Sequence, residues 1–137
     1  MTISAYIANI LSEYEGIAID MNHMAEGSDQ YGLYKSPGRN KTDFTDGSYE
    51  VTENFQFFAR QSAVSSAERK EADEWLEDLS YWIDDYPFVK GFPEIDGNRK
   101  VTELSITGAP YAMITESMEV LYQMSISITY IREREGF

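Results

Sequence analysis

The chain contains one histidine, His23, and its surroundings bound what chemistry the sequence offers. Asp20, Asn22 and Asp29 lie near it, and imidazole with carboxylates is a ligand set that divalent cations accept. No ligand-spacing motif accompanies these residues, and a polar loop collects the same types, so no metal site is expected. A serine relay needs a histidine oriented by a carboxylate and within reach of a nucleophile, and the G-x-S-x-G turn is absent. Among 24 Asp and Glu residues some pair will always suit a two-carboxylate hydrolase, so abundance removes the specificity of that signal. No phosphate-cradling glycine motif occurs. With no cysteine, thiolate nucleophiles, disulfides and zinc–thiolate sites are excluded. The expectation is a protein without catalytic, metal-binding or cofactor-binding residues.

The residues that remain are suited to docking. Lys35, Arg39 and Lys41 follow one another with no acid between them. They read either as a polar turn or as a basic loop that steers docking onto an acidic neighbour. Segment 68–85 carries eight acids, including Glu71, Glu74 and Asp78, against Arg69 and Lys70. It reads as a solvated helix face, or as a negative surface that faces DNA without gripping it or mimics DNA toward a basic partner. Tyr111, Met113 and Ile114 follow Gly108-Ala109-Pro110; large apolar groups in such a connection are core plugs or contact residues, since aromatic and Met side chains are enriched in interfaces.

Periodicity supplies the elements that position them. Ile3, Ile7, Ile10, Leu11 and Tyr14 share one helical face over residues 2–14, with Thr2 or Ser4 as cap and Gly16 past the end. Short strands are predicted over 17–22 and 31–35, and a turn over 36–40 around Pro37-Gly38. Tyr49 to Arg60 alternates as a long strand, broken by Glu53 on the apolar face and Phe58 on the polar one. Ser65 and Glu68 have capping-box spacing and open a helix running to about Ile83, with Ala72, Trp75, Leu76, Leu79, Trp82 and Ile83 as its buried stripe. Pro87 is expected to end any remaining helix, and 88–97 to be a loop. Val101–Thr107 and Leu121–Arg132 complete the strands, the last with Tyr122, Met124, Ile126, Ile128 and Tyr130 on one face. The order predicts an α+β fold, an antiparallel or mixed sheet with two main helices packed on it.

The 137 residues fit a single domain, 1–137, able to bury a core without staples. A hydrophobic share of 42% and an aromatic share of 14% argue against disorder. The net charge of −13 repels phosphate backbones and anionic membrane surfaces. No apolar run has the length of a membrane span, and the N-terminal residues lack the basic region of a signal peptide.

In order along the chain, Thr45-Asp46-Gly47-Ser48-Tyr49 through Phe55-Gln56-Phe57-Phe58-Ala59-Arg60, then Trp75-Leu76-Glu77-Asp78-Leu79 and Tyr81-Trp82-Ile83, then Val101–Ile106, Thr107-Gly108-Ala109-Pro110-Tyr111, Tyr122-Gln123-Met124-Ser125-Ile126 and Ile128-Thr129-Tyr130 resemble small minor capsid or tail-joining proteins in prophages of Gram-positive bacteria. The resemblance spans roughly residues 3–133. It implies a tail terminator or tail-to-head joining role in a long-tailed bacteriophage, as a homo-oligomeric ring, often hexameric, that meets tail-tube and head-connector proteins. It implies a place in the virion, or in the host cytoplasm during assembly, with DNA passing without specific binding. It carries over no catalytic residue. Thr115-Glu116-Ser117-Met118 match no part of the pattern. The other reading, from charge alone, is an acidic DNA-mimic inhibitor of a basic nucleic-acid-processing protein.

Overall fold

The computed structural model describes residues 1–22, 30–62, 66–114 and 119–134. Helix α1 (Ile3–Ser12) leads to the short strand β1 (Ile19–Met21). The long strands β2 (Gln30–Asp43) and β3 (Tyr49–Ser62) follow, then helix α2 (Ser66–Val89), β4 (Arg99–Ile114) and β5 (Glu119–Arg132). The five strands form one sheet in the order β1-β2-β3-β5-β4. The β1–β2 pair is parallel and the other three pairs are antiparallel. The fold is thus α+β with a mixed sheet, as the element order predicts.

β3 lies at the centre, and its alternation sets the layers. Val51, Phe55, Phe57 and Ala59 are fully buried, as are Met124, Ile126 and Ile128 on the paired strand β5. Tyr31 is paired with Ala59 and stacks on Phe57 with ring centroids 6.2 Å apart, so it rises from this same face. Tyr31 also meets Trp75 of α2 at 5.4 Å, and Trp75 meets Tyr14, just past α1, at 5.5 Å. Tyr14 continues to Trp82 at 5.4 Å, and Trp82 to Tyr86 at 5.2 Å. A run of rings therefore ties both helices to one sheet face. Offset and edge-on ring pairs each add about 0.5–1.5 kcal/mol beyond burial. Two carboxylates beyond α1 fasten the same seam: Glu15 accepts from the Trp75 indole at 2.6 Å and Glu13 from the Tyr86 hydroxyl at 2.6 Å.

α1 starts where Thr2 accepts the Ala5 amide at 3.1 Å, an N-cap that satisfies one of the first-turn donors. α2 is longer than its stripe suggests. It passes through Pro87 to Val89, and the Lys90 and Gly91 amides still bond back to Tyr86 and Pro87. Ile83 and Tyr86 are buried in the core, and that burial holds the last turns although proline removes one helical donor. Ser65, the expected cap, lies outside the described residues.

Two connections expected to break strands do not. β2 runs straight through 36–40, with the register shift between Lys35 and Arg39 absorbed by Pro37 and by Gly38 at φ 88°. β4 continues through Gly108-Ala109-Pro110, with register shifts between Ile106 and Gly108 and between Gly108 and Tyr111. Both are stretches where one side of the strand is unpaired, and there a proline withdraws no ladder hydrogen bond. At Gly108 an added Cβ would come within 3.1 Å of the Ser125 hydroxyl, so the close approach of β4 to β5 favours glycine.

Leu79 is fully buried where α2 meets the core. Leu79→Ala is expected to lower unfolding free energy by about 2–5 kcal/mol, read as a reduced urea midpoint at unchanged slope.

Candidate interaction surfaces

The one acid that interrupts the apolar face of β3 is 3% exposed and fully engaged. Glu53 Oε1 meets Lys35 Nζ at 3.0 Å, and Oε2 accepts the Tyr130 hydroxyl at 2.9 Å. Three strands, β2, β3 and β5, are thereby joined by one carboxylate, and a buried charge is tolerated because it is paired and hydrogen-bonded. The N-terminal turn of α1 covers the site from above. Thr2, Ser4, Arg39 and Arg99 line, with Lys35 and Glu53, an open cavity of about 440 Å³. Lys35, read from sequence as a loop cation, is a strand residue committed to this carboxylate. The acid on an apolar face was the sequence signal for the site; its partners were not visible.

Further along the same end of the sheet, Tyr49 is buried beneath cations. Lys41 Nζ stands 4.5 Å from the ring centroid, and the Arg134 and Arg132 guanidinium carbons 4.9 and 5.7 Å away. Arg132 also donates to the Tyr49 hydroxyl at 2.8 Å. Cations over a ring face gain about 0.5–2 kcal/mol each, and their aliphatic stems shield the ring from water. Asp43 is shared by Lys41 at 3.6 Å and Arg134 at 3.0 Å. Lys41 is thus in a basic patch, but one assembled from β2, the end of β5 and the residues after it. The sequence run 35–41 supplies only part of it.

The outward side of α2 is the acidic counterpart. Glu71, Glu74 and Asp78 are exposed, Glu74 with an i,i+4 contact to Lys70 at 4.0 Å. Tyr81 (57% exposed) and Phe88 (90% exposed) stand on the same helix. Asp84, near the C-terminal end of α2, accepts the Ile106 backbone amide of β4 at 2.9 Å. It thereby caps a donor on an edge strand that would otherwise invite strand pairing.

The sheet face away from the helices carries a hydroxyl and amide network beside the Tyr34–Phe58 ring pair, whose centroids are 5.2 Å apart. Gln56 Oε1 accepts from Gln123 at 2.7 Å and from Ser125 at 3.0 Å, and Tyr111 donates to Gln123 at 2.8 Å. Thr52 and Thr129 pair at 2.9 Å. Tyr111 is therefore an exposed strand residue tied into this network, rather than a core plug in a loop. Met113 and Ile114 continue the backbone of β4, and their side chains lie outside the described residues. His23 and Asp29 lie outside them too.

Taken together, these features define an α+β scaffold whose layers are chemically distinct: an acidic helix side, a cation-rich sheet end and a sheet face with a network of amides and hydroxyls. The same fold occurs in a chain of the virion of the native gene transfer agent particle, with a TM-score of 0.56 at 12% identity over 89% of this chain and 84% of that one. No protein-family model matches the sequence, and no curated protein does.

Burial pushes the Tyr6, Tyr122 and Tyr130 phenols up from 10.0 to about 12, with hydrogen bonds to Asp73 and Glu53 adding to the rise at Tyr122 and Tyr130. In the unfolded chain these phenols lose their protons near pH 10, while the folded state still holds them. Their contribution is fully present below pH 10 and disappears as pH rises toward 12. The urea midpoint is expected to fall across that window, with a late fraction of tyrosinate absorbance appearing together with unfolding.

Proposed function

We propose that this chain is a structural assembly protein of a phage-like particle, acting as a tail terminator or tail-to-head joining protein that forms a ring at the end of the tail tube. The observation that carries this reading is the fold shared, over most of both chains, with a component of a gene transfer agent virion. The order of motifs resembling tail-joining proteins supports the finer role. So does the surface chemistry. A ring subunit needs two different complementary patches, because head-to-tail contacts close only when the rotation per subunit allows it. This chain carries an acidic patch and a basic one on different elements. A conduit through which DNA passes should neutralise few phosphates, since each one neutralised adds affinity that retards passage. A net charge of −13 and a sheet face of amides and hydroxyls meet that demand.

The exposed acids of α2 favour one other reading, a DNA mimic that occupies a basic nucleic-acid-processing protein. Deletion of the gene in the particle-producing strain separates the two. The expected outcome is filled heads and tails that accumulate unjoined in electron micrographs, restored by the intact gene. Normal infectious particles from the deletion strain, with the protein recovered on a nuclease or restriction subunit instead, would reverse the assignment.

A further inference from the structure

The chain has 11 Lys and Arg residues, and most already have partners within the fold. Lys35 holds Glu53, Lys70 meets Glu74, Lys90 reaches Glu13 at 3.9 Å, and Arg99 binds Asp96 at 2.6 Å. Arg60 and Arg69 are also engaged. Among the described residues, and leaving aside Lys100, which has no ion pair and lies opposite Ile131, Arg39 and Arg132 meet no carboxylate within ion-pair reach, and Lys41 and Arg134 share the single carboxylate of Asp43. The strand register gathers these four cations at one end of the sheet. Arg39 pairs with Glu53, Lys41 with Val51, and Arg132 with Tyr49, which sets them on the helix-bearing face near and beyond the N-terminal turn of α1. The nearby Asp46 is turned back onto Ser48, accepting its amide at 2.9 Å and its hydroxyl at 2.5 Å. The patch therefore holds four cations against Asp43, on a molecule that is otherwise strongly acidic.

We propose that this patch, built around Tyr49, is the acceptor of a head-to-tail contact whose donor is the outer face of α2 from a second copy of the chain. The proposal deepens the assembly reading above and rests on it. Copies of a chain with a charge of −13 repel one another on average, so an ordered self-contact must set an acidic surface against the local positive excess. α2 supplies that surface. It extends about 36 Å as a 24-residue helix, and Glu71, Glu74, Glu77 and Asp78 are all exposed on it. Tyr81 and Phe88 project from the same helix and provide the apolar contact that ion pairs at a rim do not. The placement suits a heterologous contact. Arg39 and Lys41 lie on β2, while α2 is anchored over β4 through Asp84 and Ile106, and β3 and β5 stand between those two strands. One subunit can therefore offer its patch to one neighbour and its helix to another, which is the arrangement that builds a ring or a filament.

The test uses the full chain and two sets of charge-neutralising substitutions, Glu71→Gln/Glu74→Gln/Asp78→Asn in α2 and Arg39→Gln/Lys41→Gln/Arg134→Gln in the patch. Circular dichroism confirms that each set folds, and sedimentation velocity at low and raised salt reads the assembly. The parent chain is expected to associate, with affinity falling as salt rises. Each set alone should associate at least about tenfold more weakly. An equimolar mixture of the two sets should give a one-to-one pair that does not grow, because only one intact patch and one intact helix face remain. Oligomers from either set that match the parent overturn this contact and leave the particle-assembly reading standing. A parent that stays monomeric at every salt concentration overturns it as well, and the deletion experiment then decides the assembly reading separately.

Discussion

The paired apolar faces of β3 and β5 are the constraint on which the rest of the molecule depends. Phe55 lies opposite Ile126, Phe57 opposite Met124 and Val51 opposite Tyr130, all buried. A face of that kind must be covered, and burying apolar surface at about 25 cal/mol per Å² is what holds the cover in place. α1 and α2 provide it, joined to each other and to Tyr31 by the run of rings from Trp75 to Tyr86. Because both helices lie on one side, the other side of the sheet can carry a network of amides and hydroxyls, and the acids of α2 are turned outward. The chemical difference between the layers follows from covering a single sheet face.

Glu53 shows how a polar exception is absorbed into that scheme. A carboxylate among Val51, Phe55 and Phe57 would be costly if unpaired. Lys35 and Tyr130 arrive from the two flanking strands, so the charge is neutralised by the same register that aligns the core. The Tyr49 cluster is the complementary case. There the sheet runs on past the helices, and cations with long stems take over the covering role that apolar side chains play elsewhere. Positive charge is thus concentrated where helix cover ends, which is also where a neighbouring molecule has access.

Much of this was legible from the residues in order. The alternation of 49–60 and 121–132 marked the two central strands, the stripe of Ile3, Ile7, Ile10 and Leu11 marked α1, and Leu76, Leu79 and Ile83 marked the buried side of α2. Three boundaries were misread for one shared reason. Pro37-Gly38, Pro87 and Gly108-Ala109-Pro110 are local breakers, and local rules end an element at them. In the structure Pro37 and Pro110 stand where one side of the strand is unpaired, so no ladder bond is lost. Pro87 sits in a helical turn held by the burial of Ile83 and Tyr86. In each case tertiary context decided against a local rule.

Of the docking residues, the acids Glu71, Glu74 and Asp78 were visible in sequence because a helix face is a local pattern. The cation patch was not. Lys35, taken from sequence as its first member, turns out to be spent on Glu53, while Arg132 and Arg134, some ninety residues away, are brought onto Tyr49 only by the pairing of β3 with β5. The sequence by itself determined where the helices and central strands lie, which side of each is apolar, and that the surface is strongly acidic, because those properties depend on neighbours within a few residues. Which cations meet which carboxylates, and where positive charge is left over, was decided by the tertiary structure alone, because strand register sets distances between groups that the chain order keeps far apart.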